Sequence, residues 1–217
     1  MVMKKVAIIG ASGMAGQEIY RLADQEADWV TTGIVRDERK AHKVLGRTAH
    51  LFVADVLTMP IEQLTGFDVI VDAFGTAPVY AGDQVVLAKK LVEVARQSHA
   101  KLIFILGAGS LHTGEDHHLV MEDLAKTPNA ETWINIPRQQ KRELDFLQGV
   151  DDVDWLGISP SMTFKEGPAT DYELGQDDLL GATPEESVTT AGTMAKLIVS
   201  EIKDPVHHGR ITVVNKA

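Results

Sequence analysis

Cysteine is absent from the 217 residues, which excludes disulfides, thiolate metal sites and a cysteine nucleophile. Aromatic residues make up only 6% of the chain, so few side chains are available to wall a flat ligand. No apolar run approaches the roughly 18 to 20 residues that cross a bilayer, and no membrane partner is expected. Basic residues are the minority, 21 against 31 acidic ones, for a net charge of -10. That balance argues against nucleic acid as the main partner, while leaving room for a local basic pocket. The first residues run straight into an apolar strand, without the charged-then-apolar layout of a signal peptide. A cytoplasmic protein is the expectation.

What is present is an alternation. Short runs rich in β-branched residues alternate with longer helical patterns. "KKVAIIG", "WVTTGIV", "HLFVAD", "FDVIVDAFG", "KLIFILGAG", "VDWLGIS" and "GRITVV" read as strands. "GMAGQEIYRLADQ", "RDERKAHKVL", "AGDQVVLAKKLVEVARQS", a segment near 137–148 and "SVTTAGTMAKLIVSEI" read as helices. "ATPEES" reads as a helix start with Thr183 as N-cap and Pro184 behind it. The alternation predicts one α/β domain over 1–217, Rossmann-like and doubly wound, with a mostly parallel sheet and helices on both faces. The least patterned stretches, 108–136 and 160–186, both follow the C-terminal end of a strand, where open α/β sheets bind ligands. They are the expected substrate-side loops.

"IIGASGMAG" puts three glycines where the first strand turns into a helix. A helix N-terminus offers free N–H groups and a positive dipole end, which suit a pyrophosphate. Gly10 would permit the tight turn, Gly13 the close approach of phosphate, and Gly16 the packing of helix on strand. A purely structural turn is the alternative. Ser12, Met14 and Ala15 join Gly10 and Gly13 as cofactor-binding candidates. At the end of the second strand, "IVRDERK" places Arg36, with Arg39 and Lys40 one turn on. A guanidinium there suits the 2′-phosphate of NADP(H), whereas an acidic residue would take the ribose of NAD(H). NADP(H) is therefore expected over NAD(H), with Arg36 and Lys40 as its ligands. Asp37 as a helix cap among ordinary surface charges is the competing reading.

The motifs "IIGASGMAG", "IVRDERK", "VADV", "VDAFG", "ILGAGS" and "DVDWLGISPSMTFKEGPATDYELG" span nearly the whole chain. Together they resemble the atypical short-chain dehydrogenase/reductase proteins with an NAD(P)H-binding domain, most of all the NmrA-like, NADH-flavin reductase and biliverdin-reductase-B-like members. The resemblance implies that Asp55 and Val56 border the adenine. It also implies that Ala73, Phe74 and Gly75 pass beneath the ribose and pyrophosphate, and that Pro160 with Ser161 and Met162 lies along the nicotinamide. Ser110 falls where relatives place a serine near the nicotinamide, making it the candidate catalytic residue.

A second absence then matters. Ordinary members of that superfamily use a tyrosine with a lysine four residues on for proton transfer. Here Tyr20, Tyr80 and Tyr172 are followed at that distance by Asp24, Gln84 and Gln176. In the expected helix Lys141 is present, but Pro137 stands four before it. Alcohol or sugar oxidation and epimerisation by the usual route are disfavoured. Hydride transfer from NAD(P)H to a planar redox acceptor, such as FMN, FAD or a quinone, needs no such pair. A non-catalytic NADP(H) sensor acting on a protein partner, as NmrA-like relatives imply, is the alternative. His112, His117 and His118 lie near Glu115 and Asp116. Adjacent histidines on a helix would diverge and the spacing matches no usual zinc pattern, so no metal is expected. His112 is instead a candidate for the acceptor pocket, with Trp133 and Phe164 as candidate walls.

Overall fold

A computed structural model describes residues 3–216. The first half runs β1 (Lys4–Ile9), α1 (Met14–Ala23), β2 (Trp29–Val35), α2 (Glu38–Leu45), β3 (Leu51–Val53), β4 (Val69–Asp72), α3 (Asp83–Ser98) and β5 (Lys101–Ile105). Then come β6 (His112–Thr113), β7 (His118–Leu119), α4 (Val120–Leu124), α5 (Asn135–Gln148), β8 (Trp155–Pro160), β9 (Thr163–Lys165), β10 (Tyr172–Gly175), β11 (Val188–Thr190), α6 (Ala191–Lys203) and β12 (Gly209–Asn215).

Eight strands form one sheet in the order β10-β12-β8-β5-β4-β1-β2-β3. Every pairing is parallel except that of the edge strand β10, which runs antiparallel to β12. The chain builds outward from β1 through β2 and β3, then returns to β4 on the other side of β1. That reversal creates a topological switch point at the C-terminal ends of β1 and β4.

Two-residue alternation explains why the strands are nearly continuous in apolar residues. Val6 and Ile8 of β1 enter the core beneath α1 and α6, together with Ile19, Met194 and Ile198. Ala7 and Ile9 enter the opposite core beneath α3 and α5, with Leu87, Leu91 and Leu144. Each such fully buried aliphatic side chain contributes about 1.5–3 kcal/mol. Losing one face would therefore unfold the sheet as a whole.

Local chemistry sets several helix starts. The Asp37 carboxylate accepts from the Lys40 N–H at 3.0 Å and caps α2. The Thr190 hydroxyl accepts from the Thr193 N–H and caps α6.

Differences from the sequence reading concentrate in 108–136 and 160–190. The helix expected from Ser187 begins only at Ala191, because Val188–Thr190 pair in parallel with β9. The helix start expected at Thr183 is a turn closed on itself: Glu186 accepts from the N–H groups of Ala182 and Thr183. "DYELG" supplies the antiparallel edge strand, and 112–119, within a stretch of little pattern, forms a hairpin. No described helix is long and apolar enough to cross a membrane.

Candidate functional site

The three glycines do separate work at the β1–α1 turn. Gly10 has φ +72°, and a Cβ there would stand 2.5 Å from the Ala73 carbonyl oxygen. Gly16 packs on the turn itself rather than on the strand, since its Cβ would meet the Gly10 oxygen at 2.2 Å. Gly13 is different: its Cβ would meet only the Gly10 oxygen, at 3.1 Å. It is also the N-cap of α1 and offers no side chain to the helix's first N–H groups. Those donors point out of the turn without an intrahelical acceptor. The result is a bare, positively polarised helix entrance.

That entrance opens into a cavity of about 440 Å³ at the switch point. Gly10, Ser12, Gly13, Met14 and Ala15 form its floor on the β1–α1 side. Ala73, Phe74 and Gly75, following β4, form the facing wall, with Val56 beyond them. Arg36 and Lys40 stand at the rim after β2. Both are exposed, and neither side chain makes a hydrogen bond or ion pair with another described residue. Asp37 also borders the cavity, with one carboxylate oxygen committed to the cap of α2. At the far end the lining turns apolar through Ile105, Leu106, Ile136 and Phe164, joined by the amides of Gln84 and Gln140.

Five expected residues stand off this cavity, Ser161 and Met162 among them. Asp55 is exposed and its carboxylate accepts from the Leu57 N–H at 3.0 Å, closing a turn beside Val56. Pro160 is buried in β8, opposite Val213 of β12. Ser110 is 2% exposed, and its hydroxyl donates to the Gly107 carbonyl at 3.2 Å while Arg210 approaches it at 3.4 Å. The tight turn after β5 directs this hydroxyl into the protein, away from the cavity wall. His112 and Trp133 do not line the cavity, whereas Phe164 does.

Supporting residues that sequence reasoning missed hold these walls in place. The Lys90 ammonium on α3 donates to the carbonyls of Val56 (2.7 Å), Leu57 (3.2 Å) and Met59. Burial lowers its pKa, and the nearby Asp55 charge partly opposes that shift. Asp72 accepts from the Phe74 N–H at 2.9 Å, fixing the turn that carries the Ala73–Gly75 wall. Burial pushes the Asp72 carboxyl up to about 7, against the opposing effect of the Phe74 N–H. Glu143 on α5 is 4% exposed. Its pKa is raised well above the ordinary carboxylate range, first by burial and then by the charge of Asp72.

Pro137 sits buried in the first turns of α5 and closes against Gly109, where a Cβ would approach the proline Cβ to 2.6 Å. The position four before Lys141 is thus an apolar contact. Lys141 itself pairs with Asp145 on its own helix.

A doubly wound parallel sheet with a glycine turn opening onto a cavity at its switch point defines the Rossmann-like class of nucleotide-binding folds. Within that class the NAD(P)H-binding family model matches residues 10–205, and the chain belongs to that family. It is 30% identical to the uncharacterised protein YwnB of Bacillus subtilis, over 98% of this chain and 99% of the relative. A solved protein from Lactobacillus casei is 32% identical, covering 98% of this chain and all of that one, with a TM-score of 0.89. A Streptococcus pneumoniae protein described as a candidate NADH-flavin reductase is 25% identical, covering 98% of this chain and all of that one, with a TM-score of 0.84.

Proposed function

We propose that the protein is an NADPH-preferring oxidoreductase that delivers hydride to a flavin, a quinone or a similar flat acceptor. The observation that carries this reading is the polarity of the cavity. It has a bare helix entrance and two cations unpaired among the described residues at one end, and an apolar slot with two amides at the other.

The residues fit the dinucleotide on physical grounds. Gly13 leaves open the space that a phosphate needs, and the N–H groups of the first turn of α1 donate to it. Arg36 offers a planar fork to a 2′-phosphate, with Lys40 as a second positive charge. Val56, Phe74 and the Asp72-anchored turn shape the adenosine side. Bound NADPH supplies the hydride, an electron pair and a proton together, leaving NADP as the oxidised product. Ile105, Leu106, Ile136 and Phe164 exclude water and hold flat rings face to face, so that proximity and orientation provide most of the rate. The second proton of the reduced acceptor comes from solvent, because no acid or base lines the apolar end. The named similarity of the S. pneumoniae protein to NADH-flavin reductases supports a flavin as acceptor.

The same lack of a proton donor suits a non-catalytic NADP(H) sensor, so turnover must decide. Purified protein incubated with NADPH and FMN or menadione should consume NADPH steadily at 340 nm. Tight NADPH binding by calorimetry with no acceptor reduced across a broad panel would transfer the assignment to the sensor.

A further inference from the structure

The hairpin of β6 and β7 brings together side chains that neither the cavity nor the proposed hydride transfer uses. Gly114, at φ +72°, and His117, at φ +57°, turn the chain back so that the His117 ring stacks on that of His112. The ring centres are 4.3 Å apart and the planes differ by 4°. Asp178 arrives from the other substrate-side loop, pinned there by two backbone hydrogen bonds. The His112 N–H donates to the Asp177 carbonyl at 2.8 Å, and the Leu179 N–H donates to the His112 carbonyl at 2.9 Å. The Asp178 carboxylate then lies 2.7 Å from His117 Nε2. One ligating atom from each of the three residues falls within 4.8 Å of the other two.

His112 Nδ1 is buried without a hydrogen-bond partner. A buried imidazole nitrogen left unsatisfied costs free energy unless a ligand or ion takes it up. His118 is excluded from the cluster, because it is spent on Asp116 (2.5 Å) and Asp123 (2.7 Å). Asp177 is paired with Arg210, so that positive charge is neutralised before it reaches Asp178. Glu115 and Asp116 in the hairpin turn add to a field that attracts cations.

We propose that His112, His117 and Asp178 form a binding site for a borderline transition-metal ion, of the zinc or nickel class, that ties the two substrate-side loops together. Two imidazoles and one carboxylate suit such ions and disfavour magnesium or calcium, which prefer all-oxygen sites. Three protein ligands leave a fourth tetrahedral position to water. Ligand atoms around tetrahedral zinc stand roughly 3.3 Å apart, given bonds of about 2.0 Å, so the site must tighten on loading. The ligands that must move are free to do so: the His117 and Asp178 side chains are 62% and 65% exposed. The site is independent of the oxidoreductase reading, since none of its three residues lines the cavity.

The test uses the full chain, freed of metal, dialysed against zinc and separately against magnesium, followed by elemental analysis and thermal melting. The expected result is about one zinc per chain, no retained magnesium, and a melting temperature that rises with zinc alone. His117→Ala and Asp178→Asn, both at exposed positions, should each weaken zinc binding by about tenfold or more, with metal-free melting temperatures unchanged. His208→Ala, a surface histidine elsewhere, should leave zinc binding as it was. Absence of bound zinc, or equal binding by the wild type and both site variants, overturns the proposal.

Discussion

The two ends of the cavity are built by different means. The basic end is local: one turn between β1 and α1, Arg36 and Lys40 within five residues after β2, one short segment after β4. Its polar features are backbone N–H groups and two cations without side-chain partners among the described residues. The apolar end is assembled from segments far apart in the chain: Gln84 of α3, Gln140 of α5 and Phe164 of β9 all line it. A dinucleotide's phosphates have one geometry, which a short motif satisfies. An acceptor slot is shaped by packing, and packing has no short motif.

The largest expected effect lies at the local end. Gly13→Val fills the space over the helix entrance at a φ of -86° that valine adopts without strain, so folding should survive. Binding of both NADPH and NADH should fall by about 100-fold or more, since the phosphate can no longer approach the backbone. Calorimetry alongside circular dichroism checks this, and undiminished affinity would remove the phosphate-turn assignment.

Arg36→Glu sharpens the comparison within that same end. NADPH binding should weaken by about 10- to 100-fold and NADH binding by far less, because only the former carries the 2′-phosphate. Equal losses would show that Arg36 acts on something common to both.

The supporting residues should affect stability. Lys90→Met leaves three carbonyls of the 56–59 turn without their donor and should cost about 1–3 kcal/mol, read as a lower melting temperature.

Glu143→Gln should act in the opposite direction, and only at higher pH. Burial pushes the Asp72 carboxyl up to about 7 in the folded chain, and burial with the Asp72 charge raises Glu143 as well. Between the unfolded value near 4 and the folded value, the native state holds protons that the unfolded state has released. The pair therefore withdraws stability as pH rises through that window. Relative to the wild type, the variant should melt at a higher temperature near about pH 8 and at the same temperature near about pH 3. A constant difference at all pH values would place the effect in packing rather than in ionisation.

Phe164→Ala is the smallest change and probes the distant end alone. It should raise KM for the flat acceptor by about 3- to 10-fold while leaving NADPH affinity intact. A matching loss of NADPH affinity would mean that Phe164 belongs to the cofactor's wall instead.

How much of this was legible beforehand follows the same division. The strands of the main parallel sheet, the glycine turn, and Arg36 with Lys40 at the rim were readable, because each rests on periodicity or on residues a few positions apart. The hairpin at 112–119 lies in a stretch whose apolar content is too low to fix a period, so its sequence points to no regular element. The spacing of its histidines matches no usual metal pattern, whereas the structure stacks the His112 and His117 rings. Ser110 followed β5 as expected, but the turn that begins at Gly107 directs its hydroxyl inward. Lys90 left only a faint trace, a lysine bordering the apolar face of α3.

The sequence by itself determined the sheet, its switch point and the charged rim, since alternation, helix periodicity and backbone freedom at glycine are properties of neighbours along the chain. The tertiary structure alone decided which side chains share the apolar end of the cavity, how two buried acids came to rest behind its wall, and that Asp178 stands beside two histidines. Those meetings depend on loop closure and on desolvation, which are set by distance in space and are not written in any local spacing.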